Sequence, residues 1–251
     1  NTFHIESNAP LADKLRPKNL GDFFGQESIL GNNSLLRNAI LNDKVGNIIF
    51  SGPPGVGKTT LIEIISANTR SSLIKLNAVL SSIKELRNEI ANAKERLLRT
   101  NRKTILFIDE VHRFTAVQQD ALLPSIENGT ITFIGATTEN PFFAVNKALI
   151  SRSRIFLLNP LNKNDLKKII EKVIKYYACL QDSKIIEITE EATNHLIQFS
   201  GGDARNLINA LELGISITKE NKFRVINIDL PIAEDAIQKK NILYDKNGQN
   251  H

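Results

Sequence analysis

Residues 51–60 read SGPPGVGKTT, with NIIF (47–50) before them and LIEII (61–65) after them. Glycine and proline, the most and least flexible residues, are interleaved here between a buried-strand pattern and a helical one. From Gly52 to Thr59 the spacing is G-x-x-x-x-G-K-T. A backbone that must curl around an anion needs this composition. Glycines let successive N–H groups point inward, prolines stiffen the approach, and the helix starting near Lys58 adds the positive end of its dipole. Gly52, Pro53, Pro54, Gly55, Val56 and Gly57 are therefore the expected cradle of a polyphosphate. Lys58 supplies a full charge to the β and γ phosphates. Thr59 offers a hydroxyl to Mg²⁺, with Thr60 as a second candidate.

Outward from this loop, short apolar runs alternate with amphipathic stretches. NIIFSG (47–52), SLIKLN (72–77), KTILFIDE (103–110), GTITFIGAT (129–137) and RIFLL (154–158) read as strands. Helices are expected over 34–41, 58–68 and 82–99, from a Thr115 cap to about Asn128, and over 145–150. This alternation, with β-branched runs, predicts a parallel sheet covered on both faces. After Asn159-Pro160 the strands are expected to stop. Leu166 to Tyr177, Ala192 to Phe199 and Leu207 to Ile215 mark helices, and a short one follows Pro231. The predicted class is α/β: a P-loop parallel sheet sandwiched by helices, then a small all-helical lid. The expected boundaries are an N-terminal segment (1–46), the α/β nucleotide-binding domain (47–158), the lid (159–240) and the start of a linker (241–251).

The third strand ends in adjacent carboxylates, placing both at the sheet edge where ligands bind in open α/β folds. Asp109 is expected to hold Mg²⁺ through water and Glu110 to polarise the attacking water. His112 follows with no partner at metal-ligand spacing, so a contact to the site residues or a surface place is expected.

The 251 residues suffice for one large domain or two small ones, and 41% hydrophobic with 24% charged is ordinary for a globular chain. No apolar run approaches the ~18–20 residues of a membrane span, and residues 1–10 do not resemble a signal peptide. One cysteine, Cys179, excludes an internal disulfide and is expected as a buried structural thiol, which suits a reducing, intracellular setting. The net charge of +5 permits a nucleic-acid partner. The chain lacks methionine and begins with Asn, so it reads as part of a longer polypeptide.

GPPGVGKTT, FIDEVHRF, QQDALLPSIENGTITFIGATTENPFFAVNKALISRSRIF and GGDARNLINALEL together resemble the RarA/MgsA family, relatives of the Werner-helicase-interacting ATPase in the clamp-loader branch of AAA+ ATPases. The resemblance runs from about Pro10 to Asn250. It implies a DNA-dependent ATPase using ATP and Mg²⁺ at stalled or damaged replication forks. Thr138 is implied as sensor 1, with Thr137 and Asn140 as alternates. Asn77 is implied to restrain Glu110 until DNA binds, although an Asn at a strand end is also a common turn residue. Arg152 is implied as a finger reaching a neighbouring subunit's γ-phosphate, or else a surface basic residue. Arg205 is implied as sensor 2, or else a helix-start surface arginine. Leu15, Arg16 and Pro17 would border adenine, with Gly25 and Gln26 closing the pocket. Implied partners are single-stranded or branched DNA, single-strand DNA-binding protein and a homo-oligomer, a tetramer in the full-length protein. No membrane partner is expected, and the implied place is the cytoplasm, associated with the nucleoid.

Lys84, Arg87, Lys94, Arg96, Arg99, Arg102 and Lys103 outnumber Glu85, Glu89 and Glu95 on the 82–103 stretch. That face could track DNA phosphates or simply be solvated; no aromatic platform interleaves it for base recognition. Family members continue into a further helical domain for tetramer assembly, so this fragment is expected to be monomeric and weakly active. A clamp-loader subunit and a non-hydrolysing nucleotide-dependent adaptor remain alternatives. A Holliday-junction motor of the RuvB kind is disfavoured, because no winged-helix-like segment follows the lid.

Overall fold

Five strands form one parallel sheet: β1 (Ile48–Ser51), β2 (Ser72–Asn77), β3 (Thr104–Asp109), β4 (Ile131–Thr137) and β5 (Arg154–Leu157), in spatial order β2-β3-β4-β1-β5. The computed structural model describes residues 9–180 and 184–248. Contacts divide the chain into two units, Pro17–Asn159 and the described parts of Asn1–Arg16 with Pro160–His251.

The sheet is apolar on both faces because side chains alternate along each strand. Ile48, Phe50, Ile105, Phe107, Ile134 and Ala136 pack on one side with Leu61, Ile62 and Ile65 of the Lys58–Asn68 helix. Ile49, Leu106, Ile108 and Phe133 pack on the other with Leu86 and Ala93 of the Ile83–Thr100 helix. Ser82 caps that second helix, its side chain accepting from the Glu85 N–H, and Asn101 ends it in the left-handed conformation.

Two expectations about this unit change in detail. The helix expected from Thr115 to about Asn128 is two, Ala116–Asp120 and Leu123–Glu127. Thr115 and Gln118 close a capping box on the first; Pro124 has no N–H to continue it and instead opens the second. A further short helix, Pro141–Ala144, is capped by the Asn140 side chain.

The lid expectation is corrected more substantially. Strands do not stop at Pro160: β6 (Ile185–Ile188) and β7 (Val225–Ile228) pair in parallel, Ile185 opposite Val225 through Ile188 opposite Ile228. Each has four residues, too few to establish a two-residue period by inspection, yet Ile186, Ile226 and Ile228 are buried. The helices are Lys163–Ala178, Glu190–Ser200, Ala204–Ile217 and Leu230–Gly248. The last was expected to be short and its tail aperiodic. It runs on because each added residue gains a hydrogen bond once a helix is nucleated, here anchored by buried Ala233, Ala236 and Ile237. Cys179, expected as a buried thiol, is exposed. It is the C-cap of Lys163–Ala178, beyond the stripe of Leu166, Ile169, Ile170 and Val173 that faces the lid core.

Candidate active site

β1 ends between β4 and β5, with Ser51 opposite Thr137 and Leu157. The Gly52 N–H donates to the Thr137 carbonyl at 3.2 Å, tying the start of the loop to the end of β4. A Cβ at Gly52 would lie 2.4 Å from the Leu158 carbonyl oxygen. Gly57 has φ 102°, and a Cβ there would lie 2.4 Å from Phe23 Cζ. Glycine is thus required at both ends, by crowding at Gly52 and by crowding with a left-handed backbone at Gly57. Val56, 2% exposed, pins the loop into the core between them.

The Lys58–Asn68 helix starts without a side-chain cap, unlike those begun by Ser34, Ser82 and Thr115. Its first amides and dipole therefore face the loop rather than a capping oxygen. The Lys58 ammonium is folded over the loop, donating to Gly52 O at 2.6 Å and Pro53 O at 2.8 Å. Those carbonyls compensate a charge on a residue only 7% exposed. Thr59 and Thr60 follow, half-buried.

The second cluster lies across β4. Asp109 ends β3 opposite Asn77, and its Oδ1 accepts from the Glu110 N–H at 3.1 Å. Glu110 is left-handed, φ 52° and ψ 46°, an uncommon state for a residue with a Cβ. Such strain persists where the surroundings over-determine it. Here the next residue, fully buried Val111, anchors a short 3₁₀ turn. Thr138 Oγ1 donates to Glu110 Oε2 at 3.2 Å. Thr137, fully buried, has its Oγ1 2.8 Å from His112 Nδ1 and accepts the Glu139 N–H at 3.0 Å. His112 Nδ1 also stands 3.2 Å from Glu110 Oε2, and its Nε2 3.6 Å from Glu139 Oε1.

The chain thus brings Gly52, Thr137, Thr138 and Glu110 into one connected corner, with Asp109 hydrogen-bonded to its last member. Asn77 does not reach Glu110. Its Oδ1 accepts from the Val79 N–H at 2.8 Å in a turn after β2, and the Glu110 carboxylate is engaged by Thr138 and His112. Asn140 is committed to its helix cap. Arg152 pairs with Glu127, its Nε 2.9 Å and Nη2 2.5 Å from Oε1, on the surface at the end of the Lys147–Ser151 helix. Arg205 is exposed on the first turn of Ala204–Ile217, which Asp203 caps.

Of the residues expected around a base, Leu15 is buried and Arg16 pairs with Asp13 at 2.5 Å. Pro17 opens the other unit. Gly25 and Gln26 are both left-handed. The Gln26 amide donates to Asn159 O at 2.7 Å and accepts from Asn159 N–H at 3.0 Å. It therefore laces the N-terminal segment to the end of the sheet, a role no local pattern signals. His112 was expected to contact the site residues or lie at the surface, and it does the first; only its pairing with Thr137 in particular was illegible, since it depends on β3 and β4 being neighbours.

The AAA model, described as "ATPase family associated with various cellular activities", matches residues 48–161, and the AAA C-terminal domain model matches residues 181–251. The replication-associated recombination protein A of Haemophilus influenzae is 40% identical over 95% of this chain and 53% of its own length. That of Escherichia coli K12 is 42% identical over 81% of this chain and 45% of its own. The chain belongs to the RarA family of AAA ATPases. The ATPase WRNIP1 of Dictyostelium discoideum is 37% identical over 98% of this RarA-family chain and 30% of its own length. The chain spans about half the length, or less, of these curated relatives. Among solved structures, the RuvB Holliday junction branch migration motor of Thermotoga maritima is similar at TM-score 0.68 and 26% identity, over 89% of this chain and 72% of that one. A proline-to-glycine mutant of the same RuvB is similar at TM-score 0.70 and 25% identity, over 91% and 74%.

Proposed function

We propose that this RarA-family chain is the motor part of a DNA-dependent ATPase that couples Mg-ATP hydrolysis to remodelling of DNA or replisome components at stalled or damaged forks. The observation that carries the reading is the link from Gly52 through the end of β4 to Thr138 and Glu110. It joins an anion cradle to a carboxylate that can accept a proton.

The residues suit the nucleotide and the cation. The loop offers amides and the buried Lys58 ammonium where Gly52 and Gly57 leave no room for a Cβ. Thr59 and Asp109 give a hydroxyl and a carboxylate, the hard oxygens that Mg²⁺ takes alongside phosphate oxygens and water. Among the described residues no cluster of three or more His, Cys, Asp or Glu competes as a metal site. When bound, Mg²⁺ would neutralise phosphate charge. Lys58 exchanges the Gly52 and Pro53 carbonyls for phosphate oxygens. Glu110 takes the proton of the attacking water, a contribution worth ~10²–10⁴ in rate. Thr138 holds one oxygen of that carboxylate.

Arg152 would act in trans within a homo-oligomer, leaving Glu127 for a neighbour's phosphate; Arg205 keeps the sensing role implied by the resemblance, and Asn77 would take the switching role only by leaving the turn after β2 that holds its side-chain oxygen. For DNA, the exposed Lys84, Arg87, Lys94 and Arg99 of the Ile83–Thr100 helix support a backbone-tracking face. Arg96 is already engaged with Thr104, and Arg102 with the Arg70 carbonyl. Single-strand DNA-binding protein as partner and a nucleoid-associated cytoplasmic place belong to the same proposal; no described helix is long and apolar enough to cross a membrane.

The test is phosphate release from Mg-ATP by the purified full-length protein, with and without single-stranded or forked DNA. DNA-stimulated release is expected. Flat, near-zero release would favour a nucleotide-dependent adaptor, and loading of a sliding clamp would favour a clamp-loader subunit.

A further inference from the structure

His112 is a buried titratable side chain in the corner that the proposed mechanism leaves without a task. Its side chain is 5% exposed, while the Glu110 and Glu139 side chains on either side are 29% and 58% exposed. It reaches the corner because the 3₁₀ turn after Glu110, locked by Val111, brings residue 112 back toward the end of β4. We propose that His112 is a positioning residue that fixes which oxygen of Glu110 acts as the base. This rests on the water-activating role proposed above for Glu110.

The argument starts from Oε2. That oxygen receives Thr138 Oγ1 at 3.2 Å and faces His112 Nδ1 at 3.2 Å. A lone pair on Nδ1 would lie 3.2 Å from a carboxylate oxygen, which is repulsive. A proton on Nδ1 is directed at Thr137 Oγ1, at 2.8 Å, and sits beside Glu110 Oε2, to which it is attracted by charge. We therefore assign the proton to Nδ1. Thr137 is itself held by the Glu139 N–H and by its place in β4, so the ring cannot swing away. With Oε2 restrained from two sides, Oε1 is the oxygen left to accept the water's proton. An otherwise mobile glutamate thereby has one geometry, and positioning of this kind bears on turnover rather than on nucleotide binding.

The test uses the full-length protein with His112→Ala, His112→Asn and His112→Gln, alongside Glu110→Gln. Turnover is read by phosphate release, ATP affinity by titration and folding by thermal midpoint. An Asn side-chain amide places its N–H where Nδ1–H lies, and a Gln amide places it where Nε2–H lies. The expected result is a kcat for His112→Ala lower by roughly 10–100-fold, the usual effect of losing an orienting partner, with ATP affinity unchanged. His112→Asn recovers most of the loss and His112→Gln does not. Wild-type kcat in a folded His112→Ala, or equal recovery by Asn and Gln, overturns the inference. If His112→Ala does not fold, the Asn–Gln pair decides alone. Wild-type turnover in Glu110→Gln removes the base itself, and no hydrolysis by the unmodified protein removes the function; both are distinct from failure of His112.

Discussion

The phosphate loop and the carboxylate corner are two halves of one site, built by different means. The loop is ten consecutive residues whose work falls to the backbone: amides, two glycines that exclude a Cβ and an uncapped helix start. The corner gathers Glu110 and His112 after β3 with Thr137 and Thr138 at the end of β4, and its geometry belongs to side chains. A backbone site must be contiguous and so leaves a signature in the chain. A side-chain site is assembled by strand order, so although single members such as Glu110 can be read at a strand end, the contacts that join them leave no local trace. The two halves should also fail differently, the loop in binding and turnover together and the corner in turnover alone.

The largest effect expected on the loop side is that of Lys58→Ala. Losing a preorganised cation at developing phosphate charge should lower turnover by ~10²–10³, with weakened ATP binding, measured by phosphate release and titration. An unchanged affinity would blur the distinction between the halves. Gly57→Ala comes next. With φ 102° and the new Cβ 2.4 Å from Phe23 Cζ, it should destabilise the protein by ~1–3 kcal/mol and weaken ATP binding, seen by denaturant melts and titration. Normal stability would mean that Phe23 yields freely. Smallest is Glu127→Ala, which releases Arg152. The pair is largely exposed, 38% and 51% at the two side chains, so the cost should be about 0.2–1 kcal/mol in the same melts. A larger loss would give Arg152 a structural task within its own subunit, against its reading as a finger for a neighbour.

The same contrast explains what the sequence disclosed. Strands β1 to β5 were legible because both faces of the sheet are covered, which leaves unbroken apolar runs such as ILFI (105–108). The loop and the Asp109-Glu110 pair were legible from spacing and from their place at strand ends. The four-residue β6 and β7 were not, because a pairing between segments some forty residues apart leaves little trace in each. Nor was the Gln26–Asn159 pairing, which spans 133 residues. Cys179 misled because the buried apolar stripe of its helix ends at Val173, more than a turn before it. Asn77 has the register expected of a switch, opposite Asp109, but its side-chain oxygen accepts from the Val79 N–H in the turn that follows it.

The most direct test of the account is Glu110→Gln, measured twice on one preparation: ATP affinity by titration and hydrolysis by single-turnover phosphate release. The substitution keeps size and polarity and removes only the base. Affinity equal to the parent with hydrolysis lower by ~10²–10⁴ is the predicted outcome. Hydrolysis at the parental rate would contradict it, and would leave the corner beside the phosphate loop without its chemistry.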